Sequence, residues 1–178
     1  RSISHSPVKL VSSIIYKKDR DLGTALERLK RSFGPLEPLT RDMPFDLTPY
    51  YYEELGRPLR RDLICFKALL DAENQYSVKI ETNDIENDMR ACGKRTVNID
   101  PGYVTEAKLV LWTTKDYSHR TYLGSGIFAE TTLSFREGTF KPWPWTYPDY
   151  SSAELIGYFN EVRQVYRNDL KRIYHDVP

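Results

Sequence analysis

Cysteine, histidine and methionine are scarce in this 178-residue chain, which has two cysteines, three histidines and two methionines. Cys65 and Cys92 are too few and too unpatterned for a disulfide framework or a cysteine zinc site, and three scattered histidines exclude a typical histidine zinc site. This cysteine usage points to a reducing cytoplasm. No run approaches the ~20 consecutive apolar residues of a membrane-spanning helix, and no signal-peptide pattern is present. The chain opens on Arg1 rather than methionine, so a short leader can precede it. Neither sign of charge dominates: 26 basic residues face 25 acidic ones, so no overall field draws in nucleic acid or an anionic membrane. A P-loop, a dinucleotide-binding glycine pattern and a G-x-S-x-G nucleophile elbow are all missing. The paired histidines of ferredoxin-like RNA phosphoesterases are missing too.

What is present reads as one domain over residues 1–178, long enough to bury a core without covalent staples. Val8 to Tyr16 is an apolar, β-branched strand. A helix follows, with Asp19 or Asp21 as its cap and Leu22, Leu26, Leu29 and Phe33 on one face; Gly34-Pro35 stops it. Leu36 to Leu47 is extended, and its prolines at 38 and 44 confine it to an edge or make it irregular. Asp46 to Gly56 is a tyrosine-rich connection, Arg61 to Lys67 a buried strand, and Ala72 to Cys92 a second helix ended by Gly93.

The stretch from Thr96 to Phe135 carries the strongest strand signals. Val97 and Ile99 alternate with Asn98 and Asp100, which predicts one apolar and one polar face. Asp100-Pro101-Gly102 has the chemistry of a type II turn. Strands are expected at Lys108 to Lys115, from near Arg120, and at Ile127 to Phe135, with Gly124-Ser125-Gly126 as the last hairpin turn. This is the pattern of an antiparallel meander. On the last strand Ile127, Ala129, Thr131, Leu133 and Phe135 share a face, and Glu130 lies on the other, the one charge in an otherwise uncharged strand. Residues 140–150 combine three prolines with five aromatics, so they are irregular and lie against the body. Ser151 and Glu154 form a capping box for a long final helix carrying Leu155, Phe159, Val162, Tyr166, Leu170 and Ile173 on one face. The expected fold is α+β: a ferredoxin-like βαββαβ antiparallel sheet, extended by a C-terminal β-meander, with a long C-terminal helix.

Several of these stretches resemble one family. They are VNIDPGY (97–103), KLVLWTTKDYSHRTYLG (108–124), GIFAETTL (126–133), PWTYPDY (144–150) and FDLTPYYYEELG (45–56). Together they resemble a bacterial family of uncharacterised proteins, domain of unknown function family 4416, over nearly the whole chain. The resemblance implies a prokaryotic protein of this length and supplies no catalytic residues. Trp112 departs from it, standing where a small residue is expected.

The richest polar cluster is Lys115, Asp116, His119 and Arg120. A lysine, an arginine with its bidentate fork and a histidine can hold an anion, and histidine can shuttle a proton near neutral pH. The competing reading is a solvated hairpin tip with weakly paired charges. His119 is the candidate acid/base group and Arg120 the candidate charge stabiliser. Asn98, Asp100, Lys115, Asp116, Glu130, Trp145, Tyr147 and Asp149 are the candidate ligand-binding residues. Asn98 and Asp100 could join Glu130 on a divalent cation only if they converge, and Asp100 is as well explained by turn chemistry; no metal site is assigned. Glu130 is either exposed or paired in a cleft with Arg120 or Lys108. The leading expectation is a small anionic, phosphorylated or nucleotide-like ligand in a polar cleft by the 96–135 strands. A protein-interaction surface rich in Tyr and Trp is the alternative, and RNA binding by the sheet ranks third. The sequence names no cofactor and leaves open whether the protein is an enzyme.

Overall fold

The computed structural model describes residues 5–73 and 75–175. Eight strands form one antiparallel sheet in the order β2-β3-β1-β4-β5-β7-β6, with β8 also on β7. They are β1 (Val8–Tyr16), β2 (Arg41–Phe45), β3 (Leu59–Leu70), β4 (Val97–Val104), β5 (Lys108–Thr113), β6 (Thr121–Gly124), β7 (Ile127–Arg136) and β8 (Thr139–Pro142). The helices are α1 (Asp19–Phe33), the short α2 (Tyr52–Leu55), α3 (Tyr76–Asp88) and α4 (Ala153–His175). The expected second helix is therefore shorter than Ala72 to Cys92, and Asn74 lies outside the described residues. Strand β3 runs well beyond Arg61 to Lys67.

Strand β1 is buried along its whole length, because it is central and covered on both faces. On one face, α1 and α3 lay Ala25, Leu29, Val78 and Ile85 on Leu10, Ile14, Ile64, Ile99 and Trp112. On the other, α4 sets Leu155, Tyr158, Phe159 and Val162 on Val11, Leu63, Val104, Leu109 and Leu133. Lys9 pins the second layer. Its ammonium is fully buried and donates to Asp169 (2.7 Å), Glu37 (2.9 Å) and the Lys67 carbonyl (3.0 Å). Burial alone would lower this group, but the hydrogen bonds to Asp169 and Glu37 outweigh it and hold the ammonium above its ordinary range.

Four local expectations are corrected. Neither Asp19 nor Asp21 caps α1; Lys18 is the N-cap, without a side-chain bond, and the two aspartates lie in the first turn, where they favour the helix dipole. Ser152, not Ser151, caps α4, accepting from the Leu155 amide at 3.3 Å. The three strands after β4 are not a meander, because β7 lies between β5 and β6. Their shared apolar face also breaks. A β-bulge opposite Leu109 and Val110 adds Thr132 to β7, so Ile127 and Ala129 pack toward α3 while Leu133 and Phe135 pack toward α4.

The fifth correction shapes the molecule. Asp100-Pro101-Gly102 is not a turn but the middle of β4, in register with Ser13, Ser12 and Val11 of β1. On its other side, β4 meets β5 only over Gly102–Val104. Beyond that point the strands part. The Ile99 amide there donates to Glu86 (2.5 Å) and its carbonyl accepts from Lys79 (3.0 Å). Two α3 side chains thus replace the missing strand. Alternation turns Pro101 to the same unpaired edge, where a residue without an N–H leaves no donor unsatisfied. Gly102 marks the last close approach: a Cβ there would lie 2.3 Å from the Val110 carbonyl oxygen and 2.7 Å from Leu111 Cδ2.

Two measurements check this account. Gly102→Ala is expected to destabilise the protein by about 1–3 kcal/mol, the range for overpacking a site that cannot give way, read as a lower urea midpoint. On the α1 face, burial and the neighbouring Asp42 push the Asp62 carboxyl up to about 6. A raised carboxyl favours the fold when protonated, so this group stabilises below its unfolded value and the benefit fades as pH rises through 6. Asp62→Asn should raise stability at pH 8 by about 1–3 kcal/mol, and the gain should vanish at pH 4.

Candidate functional site

Where β4 and β5 part, a cleft of about 400 Å³ opens on the α4 face of the sheet, beyond the N-terminal end of that helix. The tyrosine-rich segment before α2 and residues 147–150 wall it. Both walls are held by local chemistry. Thr48 accepts from the Tyr50 amide at 3.2 Å and starts a 3-10 turn over Pro49–Tyr51. Thr146 donates to the Thr132 carbonyl at 2.6 Å and accepts from the Trp143 amide at 2.9 Å, tying the proline-rich segment to β7. Four cationic side chains (Arg61, Arg95, Lys115 and Arg120) and three carboxylates (Asp100, Glu130 and Asp149) line the cleft, with Tyr50, Tyr51, Tyr147 and Tyr150 among them.

Most of these charges are already paired. Arg120 donates from Nε to Glu130 at 2.8 Å and from an Nη to the Lys115 carbonyl at 2.9 Å, with both side chains about 95 % buried. Arg61 donates to Asp149 at 2.6 Å; its Nε is buried with no partner. Burial works against the Arg61 charge, but Tyr150 and Asp149 outweigh it and hold the guanidinium above its ordinary range. Burial also pushes the Tyr51 and Tyr150 phenols well up, so both are neutral hydrogen-bonding groups at physiological pH. Lys115 donates to the Tyr50 hydroxyl at 2.8 Å and sits over its ring.

Arg95 holds the floor. It forms a two-point pair with Glu54 (2.7 and 2.9 Å) and donates to Glu86 (3.2 Å) and to Asn98 Oδ1 (2.9 Å). Asn98 passes the chain on, donating to Asp100 at 2.7 Å. The hydrogen bond from Arg95 keeps the Glu54 carboxyl below its ordinary range, whereas burial raises Glu86.

Of the ten residues singled out in the sequence, seven line this cleft: Asn98, Asp100, Lys115, Arg120, Glu130, Tyr147 and Asp149. Glu130 is paired in the cleft with Arg120 and not with Lys108. His119, Asp116 and Trp145 are not among the lining residues. His119 lies behind Glu130, with Nε2 2.9 Å from that carboxylate. Its ring is stacked between Tyr117 and Trp145, at centroid distances of 5.9 and 5.3 Å. Trp143 stacks on Trp145 in turn, at 5.1 Å. These rings hold the imidazole beside Glu130. Sequence reasoning missed Arg61, Arg95, Tyr50 and Tyr51 as lining groups. The tyrosines were visible as a cluster, but nothing local marks the two arginines, which reach the cleft from near the start of β3 and from the connection before β4.

Among the described residues, no group of three or more His, Cys, Asp and Glu side chains is placed to hold a metal ion. Glu130 is engaged by Arg120 and His119. A second cavity of about 350 Å³ lies on the α3 face, bordered by Gln75, Tyr76, Tyr103 and Trp112, and among the described residues none that line it is charged. Among the described residues, no helix is long and apolar enough to cross a membrane.

An antiparallel α+β sheet split by a polar, aromatic-walled cleft defines the class of protein. The match to a family model specifies it further: residues 6–166 match the family described as Domain of unknown function (DUF4416), and the chain belongs to that family. No curated protein matches the chain, and no solved structure does.

Removing the Arg95 guanidinium leaves Glu86 buried and Glu54 unpaired. Arg95→Met should cost about 2 kcal/mol at pH 7, below the value for a fully buried pair because Arg95 is partly exposed. Glu54 is held below its ordinary range, so its pairing stabilises above the unfolded carboxyl value and is lost as pH falls through the folded one. The difference between Arg95→Met and wild type should therefore shrink below about pH 4, measured by urea denaturation across pH.

Proposed function

We propose that this protein binds a small metabolite carrying an anionic group in the cleft between β4 and β5. The observation that carries the reading is the unspent cationic donors there. Lys115 spends one donor on Tyr50, and Arg61 keeps a buried Nε without a partner. A guanidinium has five donors in a rigid fork, so Arg120, with two engaged, still has donors for a phosphate or carboxylate. The cleft's volume lies within the range of small-molecule sites, and aromatic walls with a few convergent polar groups are their usual lining. Arg120 serves as an anion contact, and His119 serves by holding Glu130 rather than by touching the ligand.

Two companion readings follow the same line. The order β2-β3-β1-β4, with α1 and α3 on one face, supports treating the first four strands as a ferredoxin-like unit. Free thiols at Cys65 and Cys92 fit a reducing, cytoplasmic setting.

A protein-interaction role is the second reading. It is favoured by Leu47, Tyr50, Tyr117 and Tyr147, which are all more than half exposed. Aromatic surface of this kind anchors protein contacts. RNA binding by the sheet draws no support, since Tyr16 and Trp112 on the inner strands are buried.

The test is a thermal-shift screen of nucleotides, sugar phosphates and inorganic phosphate. A ligand at a hundredfold its dissociation constant adds about 2.7 kcal/mol of stability. Lys115→Ala, at an exposed position, should leave the unliganded melting temperature within about 1 °C and weaken the responding ligand roughly tenfold, the loss of one charge-assisted contact. A response that is the same in Lys115→Ala and Arg61→Met would contradict the reading.

A further inference from the structure

The three carboxylates of the cleft are not equivalent. Glu130 accepts from Arg120, and Asp149 accepts from Arg61 at one oxygen and from the Tyr150 amide at the other. Among the described residues, no arginine reaches Asp100. Its Oδ2 accepts from Asn98 at 2.7 Å, and its Oδ1 lies 3.7 Å from the Lys79 ammonium, beyond hydrogen-bond range. The Asp100 side chain is 34 % exposed and borders the cleft. A site for a bare anion gains nothing from such a group, because a free carboxylate facing the ligand repels it. The acceptor capacity left on Asp100 calls for a ligand that also brings hydrogen-bond donors.

The kind of donor follows from what stands behind Asp100. Lys79 lies within 4 Å, and Arg95 is joined to it through Asn98. Lys79 already offsets part of the carboxylate's charge, so a ligand ammonium would meet positive charge there. A neutral hydroxyl would not. On the β5–β6 connection, Lys115 and Arg120 line the same cleft with donors to spare: Lys115 uses one on Tyr50, and Arg120 uses two. Tyr50, Tyr51 and Tyr147 between them offer ring surface to a sugar or a base.

We infer that the ligand is a hydroxylated anion, a sugar phosphate or the ribose phosphate part of a nucleotide, with hydroxyls on Asp100 and the anionic group on Lys115 and Arg120. This assignment rests on the anion-binding reading of the cleft and narrows it. The carboxylate supplies the discrimination. A site built to hydrogen-bond a hydroxyl discriminates strongly against analogues lacking it, because its polar group is left unpaired.

The test is isothermal titration of the protein with ribose 5-phosphate, inorganic phosphate and ribose. Ribose 5-phosphate should bind at least tenfold more tightly than inorganic phosphate, and ribose more weakly than either. Asp100→Asn keeps an oxygen that can accept from Asn98 but loses the charged acceptor. It should weaken ribose 5-phosphate at least tenfold and leave inorganic phosphate unchanged or slightly tighter. Asp100→Ser, checked for an unchanged urea midpoint, guards against a folding effect in the first variant. Lys115→Ala should weaken both anions. The inference is overturned if Asp100→Asn and Asp100→Ser bind ribose 5-phosphate as wild type does, or if phosphate binds as tightly as its sugar ester; the anion reading survives either result. If neither anion binds the wild type, the anion reading and this narrowing of it fail together.

Discussion

The parting of β4 from β5 is the constraint on which the rest of the structure depends. Strand edges inside a protein must find partners for their main-chain groups. Here Ile99 finds them in Lys79 and Glu86 of α3. That exchange commits a lysine and a glutamate to a buried position, and each then needs a counter-charge. Asp100 lies beside Lys79, and Arg95 beside Glu86. Arg95 in turn draws in Glu54 from α2. One missing stretch of strand pairing thus organises a chain of charges across α2, α3 and β4, and the cleft is the space that the absent pairing leaves.

The cleft's electrostatics have the same origin. A purely cationic pocket would repel itself in the unliganded protein. The pairs Arg120–Glu130 and Arg61–Asp149 avoid this, and they also fix the directions in which the remaining donors point. The stack of Trp143, Trp145, His119 and Tyr117 buttresses one side of the first pair. Residues that read as ligand contacts in isolation are in part the frame that holds the contacts in place.

Much of the fold was legible because its signals are local. Strand β1, the apolar face of α1 and the final helix all follow from composition and spacing. The aromatic segment was expected to be irregular from residue 140, but Phe140 to Pro142 belong to β8 and pair with β7. The misreadings within the sheet share one cause, which is tertiary pairing. Pro101-Gly102 has turn chemistry, and only the neighbouring strands show that the proline sits on an unpaired edge and the glycine under a close contact. The face of β7 switches at Thr132 because β5 pairs with a bulge, a choice that alternation within β7 cannot reveal. Of the cleft's lining, Lys115, Arg120, Asn98 and Asp100 stood out, since they belong to dense polar groups inside strand-rich sequence. Arg61 and Arg95 were not found. Each looks like an ordinary surface arginine until the fold buries Arg61 and half-buries Arg95.

The most direct test of the central claim, that the parting of β4 and β5 creates a small-anion site, is to map amide chemical shifts by NMR during titration with a sugar phosphate. The account predicts changes concentrated at residues 98–100, 115–120 and 147–150, saturating together with one dissociation constant. Changes centred on the α3-face cavity by Tyr76 and Trp112, or scattered over surface lysines without saturation, would contradict it.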